Sequence, residues 1–230
     1  MSRIFCLSDI HGDIDALDYA LGYIVDELEK PNTMLMLLGD YIHGCDNGKD
    51  VLDKIISLQN HYGTEKVVAL LGNHDEWVLN GSSTLSEQNP SYEDDCTDDD
   101  KYIYWLENLP RYYVAGNTIF VHAGIDESLG ELWELTDEYT LTNKYPADIG
   151  KIDGLDMKVV AGHIYTSEIT NNPRYNDVFY DGYNHYYIDG DVLSTGELPV
   201  LMVDTDEDKY YRVTPNGGIY EVQPYDEEEY

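Results

Sequence analysis

The sequence predicts an α/β protein, and two features of the chain carry that prediction. Short runs of β-prone apolar residues alternate with segments whose apolar residues recur at helical spacing. Several of the β-prone runs also end in polar side chains that can bind a metal ion. Alternation of this kind builds a sheet of parallel strands covered by helices and joined by right-handed crossovers. Ligands of such sheets gather at the carboxyl ends of the strands.

The first part of the chain contains three predicted strands separated by two predicted helices. The β-prone runs cover residues 3–7, 34–38 and 67–71. Each gap between them holds a stripe of apolar residues at helical spacing, first Ile14, Leu17, Leu21, Ile24 and Leu28, then Val51, Leu52, Ile55 and Ile56. The order strand, helix, strand, helix, strand favours parallel pairing of the three strands.

The second part of the chain is predicted to be richer in strands. A short helix is expected over 102–108, and two β-prone runs then flank Gly116-Asn117, a pair typical of a tight hairpin turn. Residues 157–163 repeat the pattern of an apolar strand with a polar end. The remaining β-rich segment, 186–222, is predicted to form an antiparallel meander.

We interpret residues 1–224 as one domain and residues 225–230 as an acidic C-terminal tail. A chain of 230 residues with 42 % apolar composition is large enough to bury a core. The stretch near 81–100 is rich in Ser, Asn and Asp, and we interpret it as an exposed polar excursion of that domain.

Composition argues against several classes of partner. Thirteen Lys and Arg against 46 Asp and Glu give a formal charge of −33, which repels nucleic acid and anionic lipid. No apolar stretch approaches the roughly 18–20 residues that cross a bilayer. The three cysteines form no CxxC pair, as is typical of a reducing compartment. We therefore expect a cytoplasmic protein with neither a nucleic-acid partner nor a membrane partner.

Five strand-like segments end in side chains that can bind metal ions, and four of the seven histidines lie at these ends. A single histidine after a strand is usually a hydrogen-bonded loop residue, but five such ends are hard to explain independently. We expect them to form one shared metal site. The residues concerned are Asp9, His11, Asp40, Asn73, His74, His122 and His163.

The residue types indicate the chemistry of that site. Carboxylates and imidazoles without thiolates suit borderline or hard divalent ions, among which we favour Mn over Fe, Zn, Ni or Mg. A carboxylate can bridge two ions, and two ions about 3.5–4 Å apart can activate a shared hydroxide and stabilise an in-line displacement at phosphorus. The sequence therefore predicts two divalent metal ions and phosphoester hydrolysis.

The ordered motifs resemble the calcineurin-like metallophosphoesterase superfamily, in particular its phosphoprotein phosphatase branch of small bacterial and phage Ser/Thr-type enzymes. The family pattern is DxHG, GDxxDRG, GNHE, HAG and GH. It is matched here by DIHG at 9–12, GDYIHG at 39–44, GNHD at 72–75, HAG at 122–124 and GH at 162–163. The resemblance implies a sandwich of two mixed β-sheets flanked by helices, with a dinuclear metal centre.

The resemblance also implies a role for each candidate. Asp9 and His11 would bind one ion, Asp40 would bridge, and the second ion would be bound by Asn73, His122 and His163. His74 would act as the general acid that protonates the leaving alkoxide. A hydroxide held by both ions would attack phosphorus directly. Asn73 could also contact the substrate.

Three anion-binding arginines of the family pattern are missing. His43 and Gly44 replace the second aspartate and the arginine of GDxxDRG, Leu71 precedes GNHD, and Leu135 stands where an arginine follows a tryptophan. An arginine fork makes a strong charge-assisted contact with phosphate. Its loss should weaken affinity for a phosphomonoester dianion more than it damages attack at the metal ions.

Several residues could compensate for these losses. Arg174 is a candidate cation for the substrate. His43 has three interpretations: it hydrogen-bonds near His74, it donates to the substrate, or it points to solvent. Asp46 or Asp75 could orient His74 in place of the missing aspartate.

The leading hypothesis is a metal-dependent phosphoesterase similar to Ser/Thr protein phosphatases, acting on a phosphoprotein, a nucleotide or a small phosphoester. Tyr165 stands where other branches of the superfamily carry the second histidine of GHxH, which favours the phosphatase branch. Hydrolysis of a nucleotide, a dinucleoside polyphosphate or a phosphodiester is the alternative. A hypothesis of a different class is a catalytically reduced metal-binding interaction module.

Overall fold

Two β-sheets stacked face to face form the centre of the fold in the computed structural model, which describes residues 2–85 and 99–226. Most of the polar excursion predicted near 81–100, and the tail from residue 227 onward, lie outside these residues. Among the residues described, no helix is both long and apolar enough to span a membrane.

The first sheet has six strands in the order β11-β10-β9-β1-β2-β3. Its parallel part is β1, β2 and β3, as predicted, with Leu7 opposite Leu37 and Leu37 opposite Ala69. The remaining strands pair antiparallel, and β9 joins β1. The bounds are β1 Arg3–Leu7, β2 Thr33–Leu37, β3 Val67–Ala69, β9 Val200–Asp204, β10 Lys209–Val213 and β11 Ile219–Glu221.

The second sheet has five strands in the order β4-β5-β6-β8-β7. The predicted hairpin is confirmed, since β4 and β5 pair antiparallel on either side of Gly116-Asn117. β5, β6 and β8 are parallel to one another. The bounds are β4 Tyr112–Ala115, β5 Thr118–Val121, β6 Lys158–Tyr165, β7 Phe179–Tyr180 and β8 His185–Asp189.

The helices begin and end where local chemistry requires. Asp13 accepts a hydrogen bond from the Ala16 amide at 2.9 Å and so caps the first helix. Gly63, at φ 94°, ends the long third helix. The bounds are α1 Ile14–Leu21, α2 Val25–Leu28, α3 Gly48–Tyr62, α4 Asn73–Leu79, α5 Asp100–Glu107, α6 Glu138–Asn143, α7 Thr166–Ile169 and α8 Val192–Thr195, with short 3-10 turns over Glu127–Leu135.

Alternation of side chains along the strands builds three apolar layers. In β1, Phe5 and Leu7 pack against the helices α1 and α3, while Ile4 and Cys6 face the second sheet. The opposite face of the second sheet packs against the segment that contains Trp133. The prediction of two mixed sheets flanked by helices is therefore confirmed.

Two predictions about secondary structure were wrong. The stripe from Ile14 to Leu28 is two helices, because the chain turns at Gly22, a residue that disfavours a helix interior. The segment 186–222 is not one meander, since β8 belongs to the second sheet and only the strands from Val200 onward form antiparallel neighbours. β8 is buried along its whole length, as a central strand is.

Candidate metal centre

Neighbouring parallel strands bring the first two motifs together. Since Leu7 and Leu37 are in register, the chain leaves both strands at the same edge of the sheet. Past that edge the Asp9 amide donates to the Gly39 carbonyl at 3.1 Å, and the His11 amide donates to the Asp40 carbonyl at 3.0 Å. Two consecutive turns are therefore linked by their backbones, which fixes Asp9 and Asp40 side by side.

The second sheet contributes the other motifs from its own parallel strands. His122 directly follows β5, and His163 lies near the end of the adjacent strand β6. The Gly162 amide donates to the His122 carbonyl at 2.8 Å, and the His163 amide donates to Asp9 Oδ2 at 2.9 Å. The last contact joins the two sheets at the predicted ligands.

The site residues have unusual backbone conformations. Nine non-glycine residues of the described chain have positive φ, and five of them are the site residues Asp9, His11, Asp40, His43 and His163, at φ 49–67°. Aspartate and histidine tolerate this region better than most residues, but it is still unfavourable. The backbone itself aims these side chains into one pocket.

Asp40 lies between two groups of nitrogen donors. One group combines its carboxylate with His11 and His74, and the other combines it with His122 and His163, with all ligand atoms of a group within 4.8 Å of one another. Asp40 Oδ2 is 3.9 Å from His11 Nε2, and Oδ1 is 3.5 Å from His122 Nε2. One buried carboxylate is therefore shared by both groups.

Backbone carbonyls fix which nitrogen of His11 and His122 is free to bind a metal. His11 Nδ1 lies 2.8 Å from the His43 carbonyl, and His122 Nδ1 lies 3.0 Å from the Leu38 carbonyl. Because a carbonyl only accepts, both Nδ1 atoms carry the proton, and each Nε2 presents a lone pair towards Asp40.

These residues fit a divalent metal ion. The lone pair of each Nε2 faces a carboxylate oxygen of Asp40, and His122 Nε2 also lies 2.9 Å from Oδ1 of Asn73. Acceptor atoms that face one another need a cation between them. Burial lowers the pKa of His122 to about 3, so this ring stays neutral and keeps its lone pair at ordinary pH.

The carboxylates of the site also lack positive charge around them. Burial, with Asp9 and Asp75 nearby, raises the pKa of Asp40. Sequence reasoning missed Asp189, which is buried, lines the same pocket and has an Oδ2 atom without a hydrogen-bond partner. Burial and the charge of Asp9 raise its pKa as well. Asp189 follows the apolar run YYI of β8, the same strand-end signal that identified the other candidates.

His74 borders the pocket at the start of α4. Its amide donates to Asp40 Oδ1 at 2.9 Å, and its Nε2 lies 4.0 Å from Asp40 Oδ2. The ring packs on Trp77 at a centroid distance of 4.1 Å, and its buried Nδ1 has no hydrogen-bond partner. Burial, followed by the neighbouring His11 and His43, lowers its pKa to about 4.

His43 is buried next to His74, so the interpretation that it points to solvent was wrong. Its ring centroid lies 5.4 Å from that of His74. Its Nε2 lies 2.8 Å from the Thr84 carbonyl and 3.0 Å from Ser83 Oγ. Because the carbonyl can only accept, Nε2–H is committed to the backbone at Thr84. His43 thus attaches the end of α4 and the residues after it to the site.

Asp75 does not orient His74. Its Oδ2 accepts from the Asp40 and Gly72 amides at 2.9 and 3.1 Å, and its Oδ1 accepts from the Tyr41 amide at 3.1 Å. The carboxylate is completely buried and brackets two motif loops. The expectation of a catalytic Asp75 is corrected to a structural one, because backbone amides hold both of its oxygens. The alternative, Asp46, is exposed and does not line the pocket.

Arg174 does not reach the pocket. It lines a separate cavity that also contains Asp177 and Arg212. Of the other departures from the family pattern, Leu71 is buried in the core and Leu135 is exposed. Arg174 is therefore corrected from a substrate residue to a surface residue of another cavity.

The pocket that these residues form has a volume of about 220 Å³. Its rim carries Tyr165 and Leu193, which are 37 % and 47 % exposed. Its floor is formed by the carboxylates and imidazoles described above. The residues that line it are Asp9, His11, Asp40, His43, Gly44, His74, His163, Tyr165, Asp189 and Leu193.

Comparison with solved structures agrees with this architecture. The cold-active protein-tyrosine phosphatase of a psychrophilic Shewanella species is 14 % identical, with a TM-score of 0.70 over 97 % of this chain and 81 % of that one. A protein provisionally named a diadenosine tetraphosphatase is 17 % identical, with a TM-score of 0.61 over 98 % and 95 %. A serine/threonine phosphatase from Saccharomyces cerevisiae is 13 % identical, with a TM-score of 0.55 over 98 % and 82 %. At these identities the likeness concerns the fold.

Family membership rests on a match of sequence. No curated protein matches the chain. The model of the calcineurin-like phosphoesterases matches residues 2–205, which include every motif described above. Members of that family depend on two metal ions and hydrolyse phosphoesters, so a metal-binding interaction module is not the class this assignment supports. The chain belongs to the calcineurin-like phosphoesterases and is a hydrolase that acts on phosphoester bonds.

Proposed function

We propose that this phosphoesterase is a Ser/Thr protein phosphatase-like enzyme that uses two divalent ions, Mn in the first place, and His74 as its general acid. The observation that carries the proposal is the position of Asp40, whose two oxygens each face a different imidazole. One buried carboxylate between two donor groups is what a dinuclear centre needs.

The residues that would bind the metal ions come from both sheets. Asp9 and His11 would bind one ion, Asp40 would be shared, and Asn73, His122 and His163 would bind the other. When bound, two such ions lower the pKa of a water molecule and neutralise charge on the phosphoryl oxygens. The Leu38 and His43 carbonyls keep the Nε2 lone pairs of His122 and His11 directed at the site.

The protein supplies the proton for the leaving group. His74 lies beside Asp40 at the pocket wall, and Trp77 limits its movement. Because its pKa is lowered to about 4, the ring needs the negative charge of a bound phosphoryl group before it holds a second proton. His43, whose Nε2–H is bonded to Thr84, would position His74 and would not itself donate to the substrate.

Replacement of His74 by Asn tests this role with two substrates. With Mn-loaded protein, kcat for phenyl phosphate should fall by about 10²–10⁴, because the departing phenolate needs the proton. The fall should be smaller for p-nitrophenyl phosphate, whose leaving group is a weaker base. Bound Mn should be unchanged. The matched control is His61→Asn, an exposed histidine of α3.

Equal losses for both substrates, or loss of Mn from His74→Asn, would contradict a general-acid role. A second candidate function is hydrolysis of a nucleotide, a dinucleoside polyphosphate or a phosphodiester. The observation that favours it is the lining of the pocket, which contains no Lys or Arg among the described residues. Under either function the substrate is phosphorylated.

A further inference from the structure

The distribution of cationic side chains limits what the pocket can bind. The chain has 13 Lys and Arg, and all of them lie within the residues that the structure describes. None of them lines the metal pocket. Several are engaged elsewhere, as Arg111 is with Glu76 and Arg212 is with Asp177. Apart from a proton taken up by a histidine of the pocket, positive charge there can therefore come only from bound metal ions.

The carboxylates of the pocket neutralise most of the positive charge that two metal ions would bring. Two divalent ions bring four positive charges, and the buried Asp9, Asp40 and Asp189 that line the pocket bring three negative ones. With all three ionised the surplus is one positive charge, and it falls to zero if the buried Asp75 behind Asp40 is counted as well. A phosphomonoester dianion exceeds this surplus, whereas a phosphodiester anion matches it.

The rim offers apolar contact where an anion would need a cation. Leu193 of α8 lies directly over Gly44, so that a Cβ atom at Gly44 would come within 2.8 Å of its Cδ2. This occupies the space above Gly44 with hydrocarbon. Tyr165 adds a partly exposed aromatic ring to the same rim. Apolar side chains on this rim would contact the organic substituents of a substrate.

We infer that Leu193 and Tyr165 are specificity-determining residues that select phosphodiesters, singly charged and carrying apolar or aromatic substituents, over phosphomonoesters. The inference rests on the proposed metal centre and favours the second candidate function, hydrolysis of a phosphodiester, over the phosphomonoester substrate of a Ser/Thr phosphatase-like enzyme. The charge balance disfavours the second negative charge of a monoester. The apolar rim favours the second substituent of a diester.

Inert ligands test the inference by binding, without turnover. Phenylphosphonate, at a pH where it is a dianion, represents a monoester, and diphenylphosphinate represents a diester anion with two aromatic substituents. Titration calorimetry on the Mn-loaded protein should show tighter binding of diphenylphosphinate, by roughly tenfold. Equal affinity or tighter binding of phenylphosphonate by the wild-type protein would overturn the inference.

A cation placed on the rim should reverse the preference. Leu193→Lys is expected to tighten phenylphosphonate by roughly tenfold, as a new charge near the phosphoryl group would, and to weaken diphenylphosphinate. Leu135→Lys, the same change at an exposed leucine that does not line the pocket, is the control and should bind both ligands as the wild type does. Should Leu193→Lys fail to fold, Tyr165→Lys places the charge elsewhere on the rim with the same expected result. Unchanged affinities in the folded lysine variant of the rim would overturn the assignment.

Turnover separates this inference from the function on which it rests. The Mn-loaded wild-type protein should hydrolyse bis-p-nitrophenyl phosphate with a higher kcat/KM than p-nitrophenyl phosphate. Preference for the monoester would overturn the selectivity and leave the phosphoesterase intact. Hydrolysis of neither ester would instead remove the proposed function, and with it this inference.

Discussion

A methyl group at Gly162 should disrupt the metal centre although it replaces no predicted ligand. A Cβ atom there would lie 2.0 Å from Ser8 Oγ and 2.1 Å from Asp9 Oδ2. Ordinary contact needs a separation more than roughly 1 Å greater, so Asp9 or the strand β6 must move by about that distance. Asp9 also holds the His163 amide, so two predicted ligands move together.

The expected loss follows from this geometry. Misplacing ligands by about 1 Å should weaken Mn binding by at least about 10–100-fold, the range seen when the support of a metal ligand is removed. Overpacking should also lower the free energy of unfolding by about 1–3 kcal/mol. Calorimetric titration of the metal-free protein with Mn measures the first effect, and urea denaturation measures the second.

The control is Gly217→Ala, in the turn between β10 and β11. Gly217 has a φ of 79°, and no atom lies within 4 Å of the added Cβ. This variant should lose about 1 kcal/mol through backbone strain and bind Mn as the wild type does. Wild-type affinity and stoichiometry in a folded Gly162→Ala protein would refute the assignment of Asp9 and His163 to the metal centre.

Two further predictions concern the carboxylates. Asp75→Ala should destabilise the protein by about 3 kcal/mol in urea denaturation. The substitution leaves three buried amide donors without their acceptor, at a cost of about 1–3 kcal/mol each. It also removes the cost of burying a carboxylate, roughly 3 kcal/mol, since burial raises the pKa of Asp75 to about 6, and the lost hydrogen bonds outweigh this gain. Wild-type stability with an altered pH–rate profile would assign Asp75 to catalysis instead. Burial raises the pKa of Asp40, and the side chain of Asp40 binds a cation only in its ionised form. Mn affinity should therefore fall as the pH falls through that raised pKa, and Mn binding should release protons. Calorimetry in buffers of different ionisation enthalpy checks this, and heats that do not depend on the buffer would contradict it.

The parts of the site that the sequence predicted are those encoded by short local patterns. An apolar run that ends in Asp or His is visible without knowing how strands pair, and parallel pairing then brings the ends of β1 and β2 to one edge. Asp189 obeys the same pattern at the end of β8. It was missed because β8 was assigned to a meander, in which the end of a strand has no reason to meet Asp9.

Other features depend on contacts that no local pattern encodes. Asp75 accepts hydrogen bonds from the Asp40 and Tyr41 amides, which lie more than 30 positions away in the sequence, and from the nearby Gly72 amide. The position of Leu193 over Gly44 joins residues from opposite halves of the chain. The first contact turned an expected catalytic residue into a structural one. The second filled the space beside a residue where the family pattern has an arginine.

Backbone strain explains why the predicted ligands are better understood as functional than as incidental loop residues. Left-handed conformations cost about 1 kcal/mol or more per residue, so the five at the site together cost about 5 kcal/mol, comparable with the whole stability of many domains. A fold that needed only turns at these strand ends could place glycine there and avoid the cost. Each position instead carries Asp or His, whose side chain the left-handed turn directs into the pocket. Strain of this kind persists where the surrounding structure holds it in place for a function, and here the amide contacts between the two strand-end loops and the two sheets hold it.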